Sequence, residues 1–231
     1  MSRTTGHNGS STSTEARVTE LRIGYNITQC YLETARAVVT KVSVPDFQKP
    51  LSNKDWTLLG QFAFVAASIA VIYSYLAIEA FVDYCLCKIW KKSRQKAGKV
   101  YSEFYNKYGT IDSFKRLVER KELRELKDRI RILCKYDAVP GFDETNPELW
   151  RKFNELLKEA RHFLVHPSPE QRRFNKYMKM VLEEHGLDRW PRIAADVIRH
   201  FYVSWDLKRP KWLGQNEFLS IKELQLLSGG R

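Results

Sequence analysis

WTLLGQFAFVAASIAVIYSYLAI, residues 56–78, runs for 23 positions without a charge. How this stretch is read decides the fold. A helix of about 20 apolar residues is long enough to cross a bilayer. The basic cluster just after it would favour a cytoplasmic C-terminal side. The polar content argues otherwise: Gln61, Ser68, Tyr73, Ser74 and Tyr75 interrupt the run, and many of its apolar residues are alanine. Glu79 and Asp83 then continue the pattern at i and i+4. A central helix of a bundle, apolar over most of its surface, explains the same residues. The bundle is the preferred reading, with a cytoplasmic location; the membrane span is the lesser alternative.

The flanking sequence is also helical in pattern. Residues 1–14, MSRTTGHNGSSTST, have no apolar core of a secretory signal and read as a disordered tail. Thr14 suits an N-cap for a helix from Glu15 to about Val42. The central helix spans Asp55 to about Gln95, and Ala97-Gly98-Lys99 punctuates its end. A short aromatic helix, VYSEFYNKYG, follows. One further helix is expected from Thr110 or Asp112 to about Tyr136, with Leu123, Leu126, Ile130 and Leu133 as a narrow apolar stripe.

Asn146-Pro147-Glu148 is the clearest start signal: a capping Asn, a Pro at the first helical position, and an acid in the first turn. This helix runs to His166, where Pro167 stops it. Further helices are expected from Pro169 to about Glu184 and, capped by Asp188, to about Trp205. The expectation is therefore an all-α bundle of four to six helices over residues 15–206, with a C-terminal extension at 207–231.

Of 231 residues, 43% are hydrophobic and 29% charged, as in ordinary globular chains. The net charge of +12 is concentrated. Between Lys88 and Lys135 there are sixteen Lys or Arg against six Asp or Glu. Such a surplus suits a polyanionic partner: RNA, DNA or an anionic membrane surface. An ion-paired helix face, as at Glu125 and Arg129, is the plainer alternative. Lys91, Lys92, Arg94, Lys96 and Lys99 are the candidate RNA-binding residues. Tyr101, Phe104, Tyr105 and Tyr108 lie beside them; their spacing of three and four favours core over base stacking. Cys30, Cys85, Cys87 and Cys134 show no CxxC or Cys/His spacing and read as reduced core thiols.

Arg161-His162-Phe163-Leu164-Val165-His166 has the form R-polar-x-x-x-H at the end of a helix in an all-helical chain. In this it resembles the HEPN superfamily, helical domains of which many are metal-independent ribonucleases with an R-x(4–6)-H motif. AIEAFVDYCL, residues 77–86, is similar to the acidic second-helix element of several such families. The resemblance implies Arg161 and His166 as catalytic residues, with Glu79 near the site. It also implies RNA as substrate, a homodimer with two motifs across a cleft, and a role as toxin or defence effector with an inhibitor or antitoxin protein as partner. Ser168 stands where some members carry a modified Tyr.

The chemistry needs these residue types. Metal-free RNA cleavage requires a base for the 2′-OH proton and an acid for the 5′-oxygen. Histidine serves either role near neutrality, and the arginine fork can hold the negative charge of the transition state. His162 shares the face of His166, and Glu79 and Glu159 are candidates to hold Arg161. His162 and His166 also have the spacing of a helical zinc pair. With no HExxH and no obvious third ligand, neither metal nor cofactor is expected. His185 and His200 read as structural. A basic residue near a helix C-terminus is favoured by the dipole alone, so an ordinary ion pair for Arg161 stays open. So does a noncatalytic binding or dimerisation module.

Overall fold

A computed structural model of the chain describes residues 27–40, 53–95, 99–137, 139–166 and 187–214. All regular structure among them is helical, as the sequence patterning requires. The tail 1–14, the helix expected at 169–184, and residues 215–231 lie outside the described residues.

Helix α1 covers 27–40 and α2 runs Asn53–Arg94. Helix α3 is Lys99–Tyr108 and α4 is Phe114–Val118. After a 3-10 turn at Lys121–Leu123, α5 spans Leu126–Tyr136. A single turn, α6, covers Phe142–Thr145. Helix α7 is one rod in three pieces: Pro147–Arg151, a π-helical turn at Lys152–Leu157, and Lys158–Val165. Helix α8 is Arg189–Ser204, and α9 is the short turn Lys211–Gly214.

The uncharged stretch lies within α2, which is the axis of the bundle. Helices α3, α5, α8 and the last piece of α7 all pack on it. Its buried residues, among them Ala63, Ala66, Ala67, Ala70, Val71, Tyr75, Ile78, Phe81, Val82, Cys85 and Ile89, fall mostly three or four apart, some as adjacent pairs. That is the amphipathic spacing of a helix with one wide buried face. The alanines let neighbouring backbones come close, and large rings fill the lower half, where Phe81 meets Phe201 at 5.6 Å and Trp205 at 5.9 Å. By length and composition α2 is still able to cross a membrane; 56% of its most apolar window is buried within the bundle. Phe62 and Val65, on its N-terminal half, are exposed.

The single helix expected over 110–136 is broken. Neither Thr110 nor Asp112 caps it: the Ser113 side chain accepts from the Arg116 N–H, and extended backbone at Glu125 restarts the chain. The apolar register explains the break. Leu117 and Leu126 are nine positions apart, which in one helix puts them half a turn apart. Only by breaking the helix does the chain bury both. Asp188 precedes α8 as expected, but its side chain makes no cap bond and instead pairs with Arg192 at 2.5 Å.

The first residues of the expected C-terminal extension belong to the bundle. Helix α8 ends with Asp206 in the left-handed region, φ 50°. There the Leu207 N–H reaches the Tyr202 carbonyl at 2.9 Å and the Asp206 N–H reaches Val203 at 3.1 Å, a Schellman-type stop. The chain then turns so that Leu213 is fully buried. Arg36 of α1 donates to the Trp212 carbonyl at 2.6 Å, and Arg199 of α8 to the Leu213 carbonyl at 3.2 Å. These two arginines satisfy carbonyls at the end of α9.

All four cysteines are free thiols. Burial pushes Cys134 up to about 11, which suits an inert core thiol. Cys85 and Cys134 are buried and Cys87 is half-buried, while Cys30 departs furthest from the expectation of core thiols. It is exposed on α1, where Thr28, Leu32 and Ala35 hold the inner face.

Candidate functional site

The site grows from the end of α7. Asn146 caps this helix as its sequence requires, its side chain accepting from the Leu149 N–H at 3.2 Å, with Pro147 at the first position. Leu149, Phe153, Leu157 and Ala160 form the buried face. The spacing stays regular through the π turn, a feature often found at functional sites. The last helical bond runs from the His166 N–H to the His162 carbonyl at 2.9 Å. His166 itself leaves helical angles, with φ −127° and ψ 68°. The following proline accounts for this, since it disfavours the helical conformation in the residue before it.

The last turn displays three of the candidate side chains. His162 and His166 are exposed, and Arg161 is half-buried. The two imidazole rings are tilted by 46° with their centres 5.0 Å apart. Arg161 swings towards α2, where its guanidinium stands 5.0 Å over the ring of Tyr75. Tyr75 is buried and stacks on Phe153 of α7 at 6.5 Å. A guanidinium on an aromatic face is a favourable cation–π pair. The guanidinium makes no ion pair among the described residues.

Burial raises the Tyr75 phenol to about 12, with the Glu79 charge adding and Arg161 and Arg129 opposing. At neutral pH it therefore remains protonated.

One turn further along α2 stands a second arginine. Arg129 of α5 is only 6% exposed. It donates to Glu79 and to Asp83, each at 2.5 Å. Burial works to lower its pKa, but the Asp83 charge and the bond to Glu79 outweigh that and hold it above its ordinary value. Glu79 stands one turn from Tyr75 on α2, and its carboxylate is bonded to Arg129 rather than to Arg161. Half-buried carboxylates are stabilised by a cation that bonds them directly, and Arg129 arrives with two N–H groups aimed at i and i+4 of α2. Glu159 is exposed and makes no ion pair among the described residues. Lys158 pairs with Glu125 at 3.0 Å, tying α7 to the start of α5.

The basic run divides in two. Arg116, Arg120, Lys127, Arg129, Arg131 and Lys135 each pair with an acid. Lys91, Lys92 and Arg94 form the last turn of α2, with Arg94 over the Trp90 ring at 5.2 Å. Lys91 lies sixteen residues beyond Tyr75, roughly 24 Å along the helix axis. The candidate RNA-binding lysines are therefore well separated from the Arg–His turn. Lys96 falls outside the described residues, and of Lys99 only the backbone is described. Phe104 and Tyr108 are fully buried, and Phe104 meets Tyr136 edge-on at 5.0 Å; these two rings are core.

Among the described residues, clefts lie away from the Arg–His turn, one of them an open groove lined by Lys121, Glu122, Asp128, Arg131 and Ile132; two others are more enclosed. One, between α1 and α8, is lined by Arg36, Thr40, Asp188, Arg192 and Arg199. The other, at the lower end of α2, is lined by Cys85, Lys88, Lys92, Tyr101, Asp137 and Trp205. Tyr75 is the site residue that sequence spacing missed. Its contact with Arg161 spans 86 positions, and inside an apolar run it reads as one more core aromatic. Among the described residues no group of three or more His, Cys, Asp or Glu is placed to hold a metal.

No protein-family description, no curated protein and no solved structure matches this chain.

Proposed function

We propose that this protein is a metal-independent endoribonuclease of HEPN type, cutting single-stranded or loop RNA at the end of α7. The observation that carries the reading is the arrangement of one helix end: the Arg161 guanidinium 5.0 Å over the Tyr75 ring, and the exposed His162 and His166 with ring centres 5.0 Å apart. Histidine accepts the 2′-OH proton as that oxygen attacks the adjacent phosphorus. The bond from phosphorus to the 5′-oxygen breaks, and the leaving oxygen is protonated. The products are a 2′,3′-cyclic phosphate and a 5′-hydroxyl. Arg161 neutralises the charge that builds on the phosphoryl oxygens.

One histidine is poorly suited to give and take a proton in the same step. His162 assists from the same face, and a second copy of the chain supplies the complementary pair, which makes the working form a homodimer. Lys91, Lys92 and Arg94 hold backbone phosphates of a bound strand. The setting is the cytoplasm, and the biological role is that of a toxin or defence effector restrained by an inhibitor or antitoxin protein.

The second reading is a noncatalytic helical module for binding or dimerisation. The bonding of Glu79 to Arg129 rather than Arg161 favours it. Labelled RNA incubated with purified protein in EDTA separates the two. The nuclease reading expects cleavage to a cyclic phosphate by the wild type and none by His166→Ala. An intact dimer with no cleavage of any RNA supports the module.

A further inference from the structure

We propose that His162 and His166 together form an open, bidentate site for a divalent d-block cation, Zn2+ being the reference ion, and that the bound ion silences the turn. The site stands on geometry; its silencing effect rests on the nuclease reading above. Three observations carry it. The two rings are at i and i+4 on one helix face, and both are exposed, so each can turn about its side-chain bonds without disturbing the core. Their centres are 5.0 Å apart. With metal–nitrogen bonds of about 2.0–2.1 Å, two imidazoles on one ion at square or tetrahedral angles have ring centres roughly 4.5–5.2 Å apart. The resting separation already falls in that range. The backbone between them is fixed by the His166 to His162 bond at 2.9 Å, so little ordering is needed on binding.

The charges around the pair set its character. Glu159 is exposed three residues before His162 and seven before His166, which puts it on the same face and offsets part of the ion's charge. Arg161 is drawn towards Tyr75, and Lys158 is paired with Glu125. No third protein ligand completes the set among the described residues, so the ion keeps water on its remaining positions, unlike a closed structural zinc. Imidazole suits Zn2+, Cu2+ and Ni2+, while Mg2+ and Ca2+ prefer oxygen. An ion coordinated by both rings occupies the lone pairs that proton transfer needs.

Calorimetric titration of the full chain with Zn2+ tests the site, with His162→Ala, His166→Ala and the double variant beside it and circular dichroism to confirm folding. Any ion held by thiols or other histidines appears equally in the double variant. The expected result is one additional site in the wild type, weakened roughly tenfold or more by either single change. Equal binding by wild type and double variant overturns the proposal, as does full binding by either single variant. RNA cleavage is followed in parallel, first in EDTA and then with Zn2+ in slight excess. Loss of cleavage with Zn2+ supports silencing; undiminished cleavage at saturating Zn2+ overturns it. Absence of cleavage in EDTA removes the nuclease reading and leaves the site to be decided by the calorimetry.

Discussion

Two arginines meet neighbouring turns of α2, and their circumstances differ. Arg129 is enclosed and bonded to both Glu79 and Asp83. Arg161 lies one turn away on the face of Tyr75, half-exposed and with no ion pair among the described residues. The first cation is consumed by the fold: its charge is answered and its donors are directed inward. The second is placed over an aromatic ring, a contact that does not neutralise its charge. Placement without neutralisation is what a phosphate-binding group needs. The same contrast separates His200, packed edge-on to Phe142 at 4.4 Å, from the open pair His162 and His166.

The largest effect expected from breaking this contrast is at Arg129. Arg129→Ala leaves two carboxylates facing a partly buried space. It should lower stability by about 3–5 kcal/mol in urea denaturation, with Arg129→Met recovering much of the loss. A change below about 1 kcal/mol would show that the trio contributes little.

Arg161→Ala should behave in the opposite way. Losing one partly exposed cation–π contact costs only about 0.5–1 kcal/mol, while RNA cleavage should fall by roughly 100-fold or more. Arg161→Lys should not restore it, because an ammonium lacks the planar fork. Wild-type turnover in Arg161→Ala would remove this residue from the site.

The smallest effect concerns the histidines. Burial holds the pKa of His200 below its ordinary value, only partly offset by a hydrogen bond with Pro140. As pH falls through about 6.5, the unfolded chain takes up a proton that the folded chain resists, so folding stability declines. Above that value the effect vanishes. His200→Gln should flatten the decline between pH 7.5 and 5.5, read as the shift in urea midpoint. Parallel curves for variant and wild type would rule His200 out as its source.

Much of this was legible in the residues. Asn146-Pro147 marks the start of α7 and Pro167 its end, because capping and proline sterics act within a few positions. The exposure of His166 follows from that stop. Other features were not legible. The break between α4 and α5 depends on both Leu117 and Leu126 facing inward, a condition set by the packing partner. The Arg129 trio joins residues 46 and 50 positions apart, and no local pattern distinguishes Glu79 as its ligand from Glu79 as a partner for Arg161. The aromatic support under Arg161 was invisible for the same reason.

By itself, the sequence determined that the chain is helical, where its clearest helix begins and ends, and that an arginine and two histidines share that end. These are consequences of backbone sterics and short-range periodicity. Which carboxylate answers which arginine, and that Tyr75 rather than an acid lies beneath Arg161, was decided only when α2, α5 and α7 came together. Side-chain pairing across helices depends on their rotation and depth of packing, and those are properties of the assembled core.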